Sequence, residues 1–311
     1  NNRDREIVSS FMAFCVQYPG IKAGWAPLIQ SVEGAGKTAF KLIMQAALGD
    51  TYIHGPNAAE LVEGGGKFNG WLRNKLMIIV DEIRVNASDT RDLVEVLKPL
   101  ITDSRVEVQS KGVDQDMQDN PTNWLMFTNY KDALPINDNS RRFCIMYSAI
   151  QSAEHLERSG MTGVYFNQLF TWLRNGGASA VAAWLGAYAI PGEFSPLVSA
   201  TRAPQSSSHA EALLQSRGTI EQLIADAVEG NVQGFRGGWI SSGPLAALIK
   251  ENIGRNPGPR AVAKALENLG YYKIGRSTVI YNQEFGKYQS YLYNTDRGAI
   301  IANYGKLQGY L

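Results

Sequence analysis

Cysteine and histidine are scarce in this chain. Its 311 residues hold two cysteines, Cys15 and Cys144, and three histidines, His54, His155 and His209. None of them stands at the spacing of a zinc site, and two lone cysteines do not make a disulfide framework. A reducing compartment is expected. Long apolar runs are also missing. The most apolar helical stretch, Ala178 to Ile190, is too short to cross a bilayer, and no secretory signal is visible. No membrane partner is therefore expected. Charge of one sign is absent overall, with a net charge of +1, but the balance is uneven. From Asn231 onward there are 10 Lys+Arg against 4 Asp+Glu, a local +6, and 8 of the 14 tyrosines. The remainder carries −5. A basic, tyrosine-rich end attached to a mildly acidic body points to a polyanionic partner at that end.

What is present begins with Gln30-Ser31-Val32-Glu33-Gly34-Ala35-Gly36-Lys37-Thr38. Ala26-Pro27-Leu28-Ile29 before it reads as a short buried strand, and Ala39 to Met44 after it as a helix. Strand, glycine loop and Gly-Lys-Thr are the context of a phosphate-binding P-loop. Glycines let successive N–H groups turn inward around phosphate oxygens, and the helix N-terminus adds its dipole. Glu33, Gly34, Ala35, Gly36, Lys37 and Thr38 would hold the nucleotide, with Lys37 on the β- and γ-phosphates and the Thr38 hydroxyl on Mg²⁺. Ser31 stands where the first glycine is usual.

Leu76-Met77-Ile78-Ile79-Val80 is a continuous apolar run ending in Asp81-Glu82. That pattern predicts a central parallel strand with its carboxylates at the C-terminal edge, where ligands bind in an open α/β sheet. Asp81 would hold the Mg²⁺ through water and Glu82 would act as general base toward the attacking water. Ser88 is positioned to cap a helix with Leu93, Val94, Val96, Leu97 and Leu100 on its apolar face. Arg105 to Gln109 alternates as a strand, Ser110-Lys111-Gly112-Val113-Asp114 reads as a turn, and Trp124 to Thr128 as another buried strand. Asn129, at its end, reads either as a turn cap or as an amide sensing the γ-phosphate and lytic water. Arg141-Arg142 precede the strand Phe143 to Tyr147. Such a pair is either a solvated edge or a finger entering a neighbour's site.

The order of these motifs resembles the superfamily 3 helicases of the AAA+ class, above all those of phage and plasmid primase-helicases. The resemblance rests on Glu33 to Thr38, Phe68-Asn69-Gly70-Trp71-Leu72, Ile79 to Glu82, Ser110 to Asp114, Phe127-Thr128-Asn129 and Arg141-Arg142-Phe143. It spans about residues 5–150. It implies an ATP- and Mg²⁺-dependent DNA helicase that assembles as a ring, in most cases a hexamer, on single-stranded or forked DNA. Lys111, at a hairpin tip, would then contact the strand in the channel. Asp114, Asp116 and Asp119 depart from a uniformly basic hairpin. Arg142, ranked ahead of Arg141, would serve the adjacent subunit. The location implied is the cytoplasm, the host's if the gene is a phage's. The chain opens Asn1-Asn2-Arg3 without Met, so a fragment of something longer, with a primase domain ahead of Asn1, is expected.

The expected architecture is α/β: a parallel-sheet AAA+ core over 1–150, a helical region and linker over 151–230, and a winged helix over 231–311. In the middle region Val164–Arg174, Ala178–Ala189 and Thr219–Val228 read as helices, and Pro191 to Ser208 as a linker or a strap across a surface. In the tail, a helix through Leu245 and Ile249, a turn, and a helix over Arg260 to Leu269 precede a ribbon expected to pair Tyr271–Ile274 with Ser277–Tyr281. Arg260 and Lys264, at i,i+4, would enter a groove, and Lys273 and Arg276 would sit on the wing. The same module used only for protein contacts is the competing reading. Two further functions compete with the helicase. An initiator or loader would use ATP as an assembly switch without unwinding, and a small-molecule P-loop kinase would leave Lys111 and the basic tail without a role.

Overall fold

The computed structural model describes residues 1–57, 60–61, 69–83, 90–109, 112, 114–134, 141–198, 202–215, 218–253, 258–276, 280–282, 286–288, 290–301 and 303–304. Two compact units divide it, residues 1–216 and 217–311. The boundary expected near 150 is not a break, because the helices that follow it pack with the sheet.

In the first unit the elements run α1 (Asn2–Gln17), β1 (Ala26–Gln30), α2 (Thr38–Leu48), β2 (Ile53–His54), β3 (Met77–Val80), α3 (Thr90–Thr102), β4 (Arg105–Val108), β5 (Asp116–Asp119), β6 (Asn123–Thr128), β7 (Phe143–Tyr147), α4 (Ala153–Arg158), α5 (Gly163–Trp172), α6 (Ala178–Ala187) and α7 (His209–Gln215). Five strands form one parallel sheet in the order β2-β3-β6-β1-β7. Its strands are apolar at consecutive positions because both faces are covered. Ile78, Val80, Trp124, Met126 and Ile145 face a layer that includes Leu93, Leu97 and Leu100 of α3. Met77, Ile79, Leu125, Phe127 and Met146 face Ile7, Phe11 and Phe14 of α1, Met44 of α2 and Leu185 of α6. Alternate residues of each strand thus go to opposite layers, as the pleat requires.

The hairpin of β4 and β5 is antiparallel, with Arg105 opposite Asp119 and Val108 opposite Asp116. Asp116 lies 3.7 Å from Arg73 and Asp119 3.7 Å from Arg105, so these acids have basic neighbours within the chain. Gly112 turns the loop at φ +77°. Lys111, Ser88, the triple glycine at 64–66 and Phe68 lie outside the described residues.

The free edge of the sheet, β7, is closed by a strap. Ala203 N–H donates to the Arg141 carbonyl (2.7 Å), the Ser206 hydroxyl donates to the Ile145 carbonyl, and Tyr147 N–H donates to Ser208 Oγ (2.9 Å). Covering the edge removes a row of unpaired backbone groups. Of the two readings of Pro191 to Ser208, the strap is the one the hydrogen bonds support.

The second unit contains α8 (Thr219–Glu229), β8 (Trp239–Ser241), α9 (Ser242–Ile253), α10 (Pro259–Asn268), β9 (Tyr272–Arg276), β10 (Ile280–Asn282), β11 (Gly286–Tyr288) and β12 (Tyr291–Asn294). Helix α8, grouped with the middle region on sequence, packs here on α9 and α10 around Ile224, Phe235, Leu245, Ile249 and Leu266. Among the described residues the expected ribbon of Tyr271–Ile274 with Ser277–Tyr281 does not form; Ser277 to Val279 lie outside them. Strand β9 pairs instead with β12, which also pairs with β8, while β10 pairs with β11. Tertiary partners outcompeted the nearest strand because β12 brings Leu292 onto Trp239 and Tyr304.

Candidate functional site

Three strand ends converge at the C-terminal edge of the sheet. After β1 the chain enters the glycine loop, where Gly34 and Gly36 hold φ of +78° and +83°. These left-handed conformations are strained for residues with a Cβ. Helix α2 starts at once, with Ala39 N–H donating to the Gly36 carbonyl (2.9 Å) and Phe40 N–H to the Lys37 carbonyl (3.1 Å). After β3 come Asp81 and Glu82, both exposed, and then buried Ile83. After β6 comes Asn129. Glu33, Gly34, Gly36, Lys37, Thr38, Asp81, Glu82 and Asn129 line a single cavity of about 820 Å³.

Hydrogen bonds fix these ends against one another. Ile83 N–H donates to the Phe127 carbonyl (2.8 Å), and the Thr128 hydroxyl donates to the Ile83 carbonyl (3.0 Å) while accepting from Tyr130 N–H (3.1 Å). One buried hydroxyl thereby ties the Asp81-Glu82 turn to the end of β6. Lys37 Nζ donates to the Thr128 carbonyl (3.1 Å) and to Asn129 Oδ1. Asn129 therefore touches the loop lysine directly. Burial pushes the Lys37 ammonium below its ordinary value, opposed by the nearby Glu82, Glu33 and Asp81 carboxylates. The same three carboxylates give the cavity a negative wall beside one cation. Behind the loop, buried Gln30 exchanges amide hydrogen bonds with Gln151 (3.1 and 2.8 Å). That pair fixes the strand end from which the loop departs.

Arg141 and Arg142 do not reach this cavity. Phe143 pairs with Ala26, so both arginines lie at the N-terminal edge of the sheet. At about 3.3 Å per residue that is roughly 16 Å from Gln30, where the loop begins. Arg141 is exposed, whereas Arg142 is half-buried and its Nε is buried without a hydrogen-bond partner among the described residues.

Helix α5 supplies side chains that sequence reasoning passed over: Phe166, Asn167 and Phe170 line the same cavity. Their i,i+4 spacing reads as core packing, and no local signal tells a core face from a cavity face.

In the second unit, β9 carries an irregularity against β12. Arg276 lies opposite Tyr291 and Gly275 opposite Leu292, but Lys273 is the next partner, opposite Tyr293, so Ile274 is the extra residue. Residues three apart normally point to opposite faces, and a bulge moves them to the same one. Lys273 Nζ accordingly stands 3.4 Å from the Tyr291 ring centre and the Arg276 guanidinium 4.7 Å from it. Arg276 also donates to Tyr291 Oη (2.8 Å). That hydrogen bond, with the charges of Arg276 and Lys273, lowers the Tyr291 phenol from its ordinary value. Arg297 lies 4.0 Å over Tyr272. Arg260 is exposed on α10, and Lys264 pairs with Glu267 (3.1 Å). No acid pairs with Lys273 or Arg276 among the described residues.

No helix among the described residues is long and apolar enough to cross a membrane. No curated protein matches the sequence. A family of unknown function, DUF5906, matches over residues 29–142, which run from the end of β1 to the start of β7. Among solved structures, the NrS-1 C-terminal region is similar with a TM-score of 0.65 at 17% identity, covering 95% of this chain and 72% of that one. A second structure of that region gives 0.64 at the same identity. JCV helicase gives 0.36 at 12% identity over 72% of this chain and 60% of that one. The chain shares the fold of the NrS-1 C-terminal region: a mixed α/β structure built on a five-stranded parallel sheet.

Proposed function

We propose that this chain is the motor of an ATP-dependent DNA helicase of the phage and plasmid replication type, working as a hexameric ring on single-stranded or forked DNA. The observation that carries this reading is the convergence of Lys37, Thr38, Asp81, Glu82 and Asn129 on one cavity at the end of a parallel sheet. The residues fit a nucleoside triphosphate with its metal. The loop glycines hold the turned conformation that aims N–H groups inward, one lysine faces the cavity, and a hydroxyl and a carboxylate stand across it as hard oxygen ligands.

In this reading Gly34 to Thr38 cradle the phosphates through their backbone, and Lys37 exchanges its hydrogen bond with Asn129 for one to the γ-phosphate. Thr38 and Asp81 would hold Mg²⁺, which supplies charge neutralisation at the transferring phosphoryl group. Glu82 accepts the proton of the attacking water. Asn129 is freed when Lys37 turns to the phosphate and orients that water. Thr128 keeps the two carboxylates and the amide in register. Arg141 and Arg142, placed far from their own cavity, would act on the neighbouring copy's site. Its exposure makes Arg141 the better placed of the two.

DNA would be held by Lys111 in the ring channel and by the second unit, read as a winged helix with Arg260 and Lys264 on its second helix and Lys273 and Arg276 on the sheet. A primase domain ahead of Asn1 would complete the whole protein. Cytoplasmic location follows from the same reading.

The test separates cradle from base. Lys37→Ala should abolish binding of a non-hydrolysable ATP analogue. Glu82→Gln should keep binding and lose about 10²- to 10⁴-fold in turnover. Wild-type hydrolysis should rise on adding single-stranded DNA, and a forked duplex should be unwound. Equal analogue affinity in wild type and Lys37→Ala would overturn the P-loop assignment. Turnover indifferent to DNA would favour the kinase reading, and stimulation without unwinding the loader.

A further inference from the structure

The cavity has two chemically distinct ends. One is the loop, the carboxylates and Asn129. The other is helix α5, which contributes Phe166, Asn167 and Phe170.

Helix α5 is unusual for what it leaves uncovered. Val164, Tyr165, Phe166, Leu169, Phe170 and Trp172 make it strongly apolar, yet none of its ten residues is buried. Phe166, Leu169 and Phe170 are half-buried and Val164, Tyr165 and Trp172 exposed, so the face that reaches the cavity is only partly covered. Phe166 and Phe170 stand one helical turn apart, with ring centres 6.5 Å apart and planes 29° from parallel. Phe166 also touches the loop itself: a methyl group on Gly36 would meet its ring edge at 3.0 Å. An aromatic surface thus begins where the phosphate cradle ends. Between the rings in sequence, Asn167 is exposed and carries both an amide donor and a carbonyl acceptor.

We propose that Phe166 and Phe170 are the stacking platform for the nucleobase of the bound nucleotide, with Asn167 reading its edge. The inference rests on the P-loop reading above, because the cradle fixes the phosphate end of the ligand. A planar base laid on these rings covers apolar surface that the protein otherwise leaves to water. Phenylalanine faces stack on any base, and an amide free to turn over serves adenine and guanine alike. The site is therefore base-tolerant. ATP and GTP bind within a few-fold of each other, and purines bind better than pyrimidines through their larger stacking area.

The experiment compares ATP with inorganic tripolyphosphate, which has the phosphates and no base, on the full chain. Binding of each is followed by titration calorimetry, and stacking separately by a fluorescent triphosphate, 1,N6-ethenoadenosine triphosphate, whose emission is quenched when its base stacks. Phe166→Ala should weaken ATP by about ten- to a hundredfold, remove the quench, and leave tripolyphosphate unchanged. Phe166→Trp should retain both affinity and quench. As Phe166 is only half-buried, Phe166→Ala should lower Tm only slightly, which is measured alongside. Unchanged ATP affinity in both Phe166→Ala and Phe170→Ala would overturn the platform. So would an equal loss of ATP and tripolyphosphate, which would make the rings part of the loop's scaffold. Lys37→Ala marks the other failure. If it leaves tripolyphosphate binding intact, the cradle assignment falls and the platform with it.

Discussion

The two units place charge in opposite ways. In the first, the sheet is covered on both faces, so its strands are apolar from end to end and polar chemistry is confined to where they stop. Asp81, Glu82, Asn129 and Lys37 all stand just past a strand or at a helix start, held by short backbone-linked bonds such as those of Thr128. In the second, the larger sheet has three short strands, and its cations stand over the faces of tyrosines. Strand ends give a few groups held at fixed separations, which suits bond-breaking. A face gives exposed charge spread along a surface, which suits a polymer of phosphates.

The largest expected effect would break the first half of this contrast, because it concerns charge that the first unit holds away from its cavity. Replacing Arg141 and Arg142 together by alanine should leave ATP binding intact and slow turnover by about 10³- to 10⁵-fold, the range of arginine fingers in other NTPases. Mixing that protein with Glu82→Gln should restore part of the activity, as mixed rings contain some interfaces intact on both sides. Absence of rescue at every mixing ratio would put each site within one subunit.

Thr128 tests whether the strand ends are truly clamped. Thr128→Val removes the hydroxyl bonded to the Ile83 carbonyl and Tyr130 N–H. About 1–3 kcal/mol of stability should be lost because the Ile83 carbonyl loses this donor in a buried place. The urea midpoint measures this. kcat should fall with KM little changed. A stable variant with normal kcat would show that packing alone sets the spacing of Asp81, Glu82 and Asn129.

The second half of the contrast is sharpened by salt. Lys273→Gln or Arg276→Gln should weaken DNA binding and lower the slope of log affinity against log salt by about 0.7 to 0.9 each. Tyr291→Ala keeps both charges and should weaken binding without changing that slope. If Lys273→Gln and Arg276→Gln leave affinity and slope untouched, this face contacts protein.

A last effect concerns a lysine half-buried in the first unit. Lys22 Nζ donates to the Leu100 and Thr122 carbonyls (2.9 Å each). Burial pulls it from 10.5 down to about 7, partly offset by Asp103. The unfolded chain keeps the ordinary value and so binds more protons between those two pH values. The penalty for charging Lys22 is thus full below about pH 7 and is lifted as pH rises toward 10.5. Lys22→Met should flatten that rise in the urea midpoint. An unchanged pH profile would mean that water reaches the ammonium.

Much of this was legible before any coordinates. Leu76 to Val80 and Trp124 to Thr128 read as buried strands because runs of consecutive apolar residues between polar turns fit a sheet covered on both faces, and the strands observed are Met77–Val80 and Asn123–Thr128. The glycine loop and the Asp81-Glu82 pair were readable because their chemistry is local. Phe166 was not, since a phenylalanine pair at i,i+4 looks the same whether it faces a core or a cavity. The pairing of β9 with β12 was not either. Strand propensity marks segments that can pair but not which partner buries the most apolar surface.

The sequence by itself determined the buried strands ending at Val80 and Thr128, the glycine loop followed by a helix, and that its basic charge collects at one end. Those properties depend on backbone preferences and side-chain periods within a few residues. Tertiary structure alone decided that Asn129 meets Lys37 across 92 positions, that Thr128 clamps Ile83, and that the arginine pair sits at the far edge of the sheet. It also decided that one bulge brings Lys273 and Arg276 onto the same tyrosine. Each of these is a contact between distant segments. It is set by strand order and register, which follow from how the whole core packs.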